Sequence, residues 1–418
     1  MNTMNTIYKT LIEKHATSEA LFAHLRASGL SIAMPEFTAE NPVAIIHNNK
    51  GRSGESPELS AAFRSVVWDP RTNRPLCVSP ASSTTLTEDN FPSAVEPPTI
   101  LVENFVDGVM VNLFQHAGTW RLATRTRIDA DSSFYGSRNF AELFWETFHG
   151  AGLNKEQLDG RFCYSWVLQH PDERVVVAPQ YGIPKLHLVE MYRINAEDGV
   201  VEQIVGAAGM REHLRPVMHP LLPEVHELRS FADVKARVEA WGRRFGAQWQ
   251  GLVVKSGGQR WKLRSAEYTA ARVLRGNQAN RTYHWFELWS SHKLEDYLRI
   301  FVEERSDAEA AVERFKACTQ ELHDLYQRVY RRREFPLGKA PQKYRKLLWE
   351  AHQANAGSYF PALRRFMNGQ DVARKVWLVN YERRYGAPVD SGDAIEVLDD
   401  ERQKLSCGCD SAKHDCVA

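Results

Sequence analysis

Two periods divide this chain. From about residue 60 to 265, apolar side chains come in short runs: SVVWD, TILVENF, VMVNLFQ, TWRLATRT, CYSWVLQ, RVVVAP, KLHLVEMYRI, WQGLVVK and RWKLRS. Val, Ile, Thr, Tyr, Phe and Trp alternate or cluster there between Gly, Pro and Asp, a pattern that suits a pleated, half-buried surface and predicts β-strands. Near Phe140 to Phe148 and Phe231 to Phe245 the spacing shifts to three and four, which predicts two helices. The mixture is α+β. After about Gly276 the helical period takes over. Ser306-Asp-Ala-Glu309 has the form of a capping box ahead of Val312, Phe315, Leu322, Leu325 and Val329, and YRKLLWEAH and DVARKVWLVNYERRYG extend the helical region. The expected organisation is a helical or irregular lead-in over 1–59, a β-rich domain over 60–275, a helical domain over 276–388 and a tail over 389–418.

A length of 418 residues fits two or three domains, and 43% hydrophobic with 11% aromatic residues is enough for real cores. Six Cys are too sparse for a disulfide framework, and no run approaches the roughly 18 to 20 apolar residues of a membrane span, so a reducing, cytoplasmic location is expected. The net charge of +1 hides an asymmetry, because residues 276–386 hold 20 Lys and Arg against 14 Asp and Glu, a local surplus of +6. Two readings stay open for this basic helical module, a solvated surface and a nucleic-acid face. Its densest point is Arg331-Arg332-Arg333. The Trp and Tyr of RTYHWFELWSSHKLEDYLRIF read as core anchors ahead of base-stacking platforms. In the tail, Cys407, Cys409, His414 and Cys416 are numerous enough for a zinc ion but more tightly spaced than ordinary zinc motifs, and a frayed terminus is the expected reading.

The segment from Leu101 to Arg127 is the most informative. A strand ending in Asp107-Gly108, a return as VMVNLF, and a third strand ending TRTR, then IDADSS and NFAELF, resemble the nucleotide pocket of covalent nucleotidyltransferases, in particular the bacteriophage-type RNA ligase family and divergent ligase-like proteins of large DNA viruses. The resemblance continues in order. FRSVVWD (Phe63 to Asp69) is similar to the strand before the family's lysine motif, YSWVLQHPDERVVV occupies the third motif, LVEMY follows it, QGLVVK (Gln250 to Lys255) resembles the fourth and WKLR (Trp261 to Arg264) the fifth. The match covers about half of the chain.

That resemblance implies a nucleotidyltransferase, ATP-grasp-like ligase fold with an antiparallel β core, followed by an all-helical domain. In such enzymes a lysine amine attacks the α-phosphorus of ATP, while lysines and a divalent metal support the developing charge. Here the nucleophile's place two residues before Asp107 is Phe105, and no Lys occurs from residue 51 to 154. The motif-three glutamate falls in Trp166-Val167-Leu168, and the motif-four glutamate is Gln250.

The retained candidates for binding a nucleotide are Asp107, Gly108, Arg125, Lys255, Lys262 and Arg264; Arg331, Arg332 and Arg333 are candidates for binding RNA. Asp107-Gly108 reads equally as a hairpin turn. Arg125 and Arg127, read as sharing a strand face, suit an acidic ligand or an exposed cross-strand pair, and His170 and His187 read as ordinary polar residues. The implied function is binding of ATP or another nucleotide, with Mg²⁺, and of RNA ends in RNA repair or processing. Activity would need a lysine delivered from elsewhere, such as Lys185 or Lys255, or chemistry without a covalent intermediate. The alternative is a catalytically dead ligase-like protein that binds RNA or a partner.

Overall fold

The structure, a computed structural model, describes residues 3–35, 40–49, 56–92, 100–215 and 218–386. They form two compact units, one ending at Arg275 and the other beginning at Gly276. The cysteines and histidine of the C-terminal tail lie outside the described residues.

The first unit is built on three sheets. The first runs in order β1 (Ser31–Ala33), β2 (Ala44–His47), β3 (Val66–Asp69), β4 (Arg74–Val78). The second contains β5 (Thr84–Thr85), β6 (Leu101–Asn104), β12 (Val225–His226), β13 (Gly251–Ser256) and β14 (Gln259–Arg264), in the order β12-β6-β13-β14-β5. The third contains β7 (Val109–His116), β8 (Thr119–Ala123), β9 (Phe162–Gln169), β10 (Lys185–Ile194) and β11 (Val201–Ile204), in the order β11-β10-β9-β7-β8. The strand pairings are antiparallel except that of β5 with β14.

Helices α1 (Thr3–Lys14), α2 (Ser18–Ala27), α3 (Pro57–Ala62), α4 (Phe140–Gly150), α5 (Gly206–His213), α6 (Phe231–Phe245) and α7 (Ala266–Arg275) complete the unit. The residues before 60 are not a lead-in. Tyr8, Leu11, Leu21, Phe22 and Leu25 share one core with Ile45, Ile46, Val66 and Trp68, because β1 and β2 are strands of the same sheet as β3.

The apolar run of β9 follows from its place at the centre of its sheet. Seven of its eight residues are buried. One face meets α4, where Phe144 and Phe148 set their ring edges against Trp166, and the other meets the first sheet, where the Val78 amide donates to Cys163 Sγ at 3.5 Å. The second sheet alternates: Val102, Leu252 and Val254 pack beneath α6 with Val234 and Val238, so Glu103, Val253 and Lys255 point the other way.

The second unit is helical: α8 (Arg281–Ser290), α9 (Leu294–Ile300), α10 (Arg305–Tyr326), α11 (Gln342–Gln353), α12 (Phe360–Asn368) and α13 (Val372–Tyr385). Expected α+β architecture with a helical C-terminal region is thus what the chain adopts. Helix α10 begins one residue before Ser306, and the capping box does not set its start. Tertiary contacts do. The Glu304 carboxylate accepts Trp285 Nε1 at 2.8 Å and the Tyr297 hydroxyl at 2.7 Å and pairs with Arg281 at 2.8 Å, while Arg305 bridges Glu295 and Glu309. Trp285 and Tyr297 are core residues, as read from the sequence.

Candidate functional site

The inward faces of the second and third sheets enclose a cavity of about 70 Å³. Register explains its composition. Across β6, β13 and β14, Glu103, Val253 and Lys262 stand in one row, with Lys255 two residues along the same face. Val167 of β9, Met110 of β7 and Val189 of β10 come from the opposite sheet, and Arg64, Ser82, Ser83, Phe105 and Arg260 are also in the lining. The motif positions therefore converge. Phe105, where the family resemblance calls for lysine, and Val167, where it calls for glutamate, line the same cavity as Lys255 and Lys262.

A buried ionic cluster forms one wall. Lys255 Nζ lies 2.6 Å from Glu103 and 3.3 Å from Glu190 and donates to the Val189 carbonyl at 3.1 Å. The amine is thus surrounded by three protein oxygens. Arg260 Nε lies 3.2 Å from Glu190, which also accepts from the Tyr192 hydroxyl and from Gln203 at 3.1 Å. Burial alone would raise the Glu190 carboxyl, but Lys255 and Arg260 together with its hydrogen bonds hold it below the ordinary carboxylate range.

Arg64 differs from its neighbours. Among the described residues it makes no hydrogen bond or ion pair, and burial, reinforced by repulsion from Arg260 and Arg125, pushes its guanidinium down to about 10. The cavity lining holds four cations, Arg64, Lys255, Arg260 and Lys262, against the carboxylates of Glu103 and, just behind, Glu190. An anion is the natural complement.

Other candidates sit elsewhere. Asp107 is buried and its oxygens are occupied: Oδ2 accepts the amides of Val176 at 3.0 Å and Val177 at 2.8 Å, and Oδ1 the Tyr268 hydroxyl at 2.6 Å. It is a tie between three segments. Gly108 has φ +146°, and a Cβ there would stand 2.4 Å from the Leu168 carbonyl oxygen, so the turn and the close approach both require glycine. Arg264 lies over the rings of Phe105 (5.4 Å) and Tyr268 (5.6 Å).

Arg125 and Arg127 do not share a strand face. Strand β8 ends at Ala123, and a turn follows in which the Thr124 amide donates to the Arg127 carbonyl at 2.9 Å; Arg125 donates to Asn48 Oδ1 at 3.0 Å and does not line the cavity. Lys185 is outside the lining too. Gln250 is buried, with its side-chain oxygen unpartnered among the described residues. In the second unit Arg331, Arg332 and Arg333 are exposed just past α10, and Arg332 pairs with Glu334 at 3.5 Å.

Residues the motif reading passed over are Arg64, Glu190 and Arg260. Glu190 had a signal, since a lone charge inside the apolar run LVEMY is costly unless paired.

Acid is expected to loosen this unit in two stages. His187 is pushed down to about 4 by burial and by nearby Lys185. The unfolded chain takes that proton near 6.5, so stability is full above about 6.5 and falls as pH drops toward 4. Glu190, held low when folded, contributes above about 4.3 and its contribution is lost as pH falls through the lower folded value. Melts of His187→Gln against the parent should show a smaller first stage, since His226, also lowered by burial, keeps its share; identical profiles would show that His187 does not contribute.

No family model matches the chain. Over 115 residues it is 33% identical to an RNA ligase of Rhodothermus phage RM378, a stretch that is 25% of this chain and 25% of that protein. The chain thus matches about a quarter of the length of that curated relative. Among solved structures, it is similar to an archaeal ATP-dependent RNA ligase at 12% identity, covering 93% of this chain and 92% of that one with a TM-score of 0.39. It is also similar to an RNA ligase of Naegleria gruberi solved with ATP and Mn, at 12% identity over 52% of this chain and 68% of that one, TM-score 0.31. The phage match bears out the resemblance to phage-type RNA ligases read from the motifs.

Proposed function

We propose that this chain is an RNA-ligase-like protein whose first unit binds the phosphates of ATP or another nucleotide without forming a lysine adenylate, and which handles RNA ends in repair or processing. One observation carries the reading. The place of the family's nucleophile is held by Phe105, inside a cavity that retains four cations. The enclosed space is far below the roughly 300 to 1,000 Å³ of a site that encloses a drug-sized ligand, so it suits a phosphate group, with the nucleoside at its mouth.

On this reading the phosphate meets Arg64 and Lys262 of the lining, while Lys255 and Arg260 hold the wall. A magnesium ion has no donor set of its own here: Val167 and Gln250 stand where acids are expected, Glu103 is ion-paired with Lys255 and Glu190 with Lys255 and Arg260, and no group of three ligating side chains occurs among the described residues. Mg²⁺ on this reading enters on the nucleotide's own phosphates. Arg331, Arg332 and Arg333 are assigned to RNA phosphates, a contact that weakens with salt.

The test is incubation with α-labelled ATP or GTP and Mg²⁺ or Mn²⁺, followed by intact mass and an equilibrium binding measurement. The expected outcome is binding without a covalent adduct, and about 10- to 100-fold weaker binding in Lys262→Ala, the scale of a hydrogen bond to a charged group. A nucleotide adduct would establish a displaced nucleophile, and unchanged affinity in Lys262→Ala would remove the phosphate assignment.

A further inference from the structure

The second unit holds a larger cavity that no motif pointed to. Its volume is about 520 Å³, within the range of ordinary small-molecule sites. Three helices build it: Asn280 and Tyr283 at the start of α8, Gln342, Lys343, Lys346 and Leu347 on α11, and Ala373, Arg374, Val376, Trp377 and Arg384 on α13. The spacing is helical, since Lys343, Lys346 and Leu347 share one face of α11, as do Ala373, Val376 and Trp377 on α13.

The lining has three kinds of surface. Leu347, Val376 and the rings of Tyr283 and Trp377 are apolar, Asn280 and Gln342 carry amides, and Lys343, Lys346, Arg374 and Arg384 are cations. Among the described residues no carboxylate lines it. Two cations are partly neutralised from behind, Lys343 by Glu382 at 3.3 Å and Arg374 by Glu350. Lys346, largely exposed, reaches Glu350 only at 4.0 Å, and Arg384 is exposed and makes no ion pair among the described residues. Positive charge thus exceeds negative, and the two least neutralised cations are also among the most exposed.

We infer that this cavity binds one nucleotide unit of a single-stranded RNA, with the base against Trp377 and Tyr283 and the phosphate on Lys346 and Arg384. An aromatic wall beside cations is what single-strand binding uses, because every base has a stacking face and every nucleotide a phosphate. Amides at the rim match the donors and acceptors of base edges. An acidic peptide would satisfy the cations alone and leave the aromatic wall without a purpose. The inference rests on the RNA-handling part of the proposed function and places a base contact apart from Arg331 to Arg333.

The experiment uses the full chain. A labelled hexaribonucleotide, AMP and a polyglutamate peptide are titrated against the parent, Trp377→Ala and the double variant Lys346→Glu/Arg384→Glu, and ATP binding is measured on each. The two charge reversals are at exposed positions, so they test the site even where loss of Trp377 unfolds the helices. Expected are hexamer affinities about 10-fold lower in Trp377→Ala and at least that much lower in the double variant, ATP affinity at the first unit unchanged, and AMP competing weakly with the hexamer. Equal hexamer affinity in parent and double variant would overturn the inference while leaving nucleotide binding by the first unit intact. Polyglutamate binding with none by the hexamer would also overturn it. Loss of ATP binding in the parent, with hexamer binding still sensitive to these variants, would sink the first-unit reading alone.

Discussion

Lys255→Met is expected to lower the folding stability of the first unit by about 3 to 5 kcal/mol, read as a shift in the urea midpoint at unchanged slope. Glu103 is fully buried, and Lys255 at 2.6 Å is its ion-pair partner. Methionine keeps the unbranched stem, one atom shorter, but leaves that carboxylate uncompensated, and a buried unpaired charge costs far more than the pair itself contributes. Glu190 keeps Arg260 and its hydrogen bonds from Tyr192 and Gln203, so the damage should concentrate on Glu103. The double variant Lys255→Met/Glu103→Gln is therefore expected to recover most of the loss. A single variant within 1 kcal/mol of the parent would mean that Lys255 is not the structural cation described here, and would reopen it as a reactive amine.

Asp107→Ala is expected to cost a similar amount, about 3 to 5 kcal/mol, because two backbone amides and a phenol lose their acceptor at once and each buried unsatisfied group costs roughly 1 to 3 kcal/mol. The Tyr268 hydroxyl, kept protonated by burial and by the Asp107 charge, has no other hydrogen-bond acceptor recorded among the described residues. The same variant separates the two readings of Asp107. Below its melting temperature it should bind nucleotide as the parent does, whereas a ligand role would show weaker binding with stability little changed.

Strands β3, β6 to β10, β13 and β14 and helices α4, α6, α11 and α13 were legible in the sequence because their periods are regular, whereas β1, β2 and the short β4, β5, β11 and β12 were not, and RVVVAP, read as a strand, is irregular. The cavity was legible in part. Phe105, Val167, Lys255 and Lys262, set side by side by motif order, line one cavity; the last three lie on strands whose alternation fixes which way each faces, and Phe105 directly follows β6. Asp107 was not legible as a tie, because its partners at Val176, Val177 and Tyr268 are remote in sequence and no local pattern encodes them. Arg125 was misread for the opposite reason: TRTR looks like a continuing strand, and only the return of the chain through Asp129 and Ala130, both at positive φ, shows that it turns. Nor did charge counting locate the second cavity, whose cations come from two helices and whose rings come from α8 and α13.

The tie at Asp107 also sets an order of events during synthesis. Tyr268 follows Asp107 by 161 residues, and at about 5 to 20 residues per second that separation lasts roughly 10 to 30 s on a ribosome. Strand β6 pairs only with β12 and β13, which also emerge late. Until β12 and β13 are made, the nascent chain carries Glu103 on a strand with two open edges, while the third sheet can already close. Chains released before β13 should expose that strand, making premature termination in this region a source of aggregation-prone fragments and of chaperone clients.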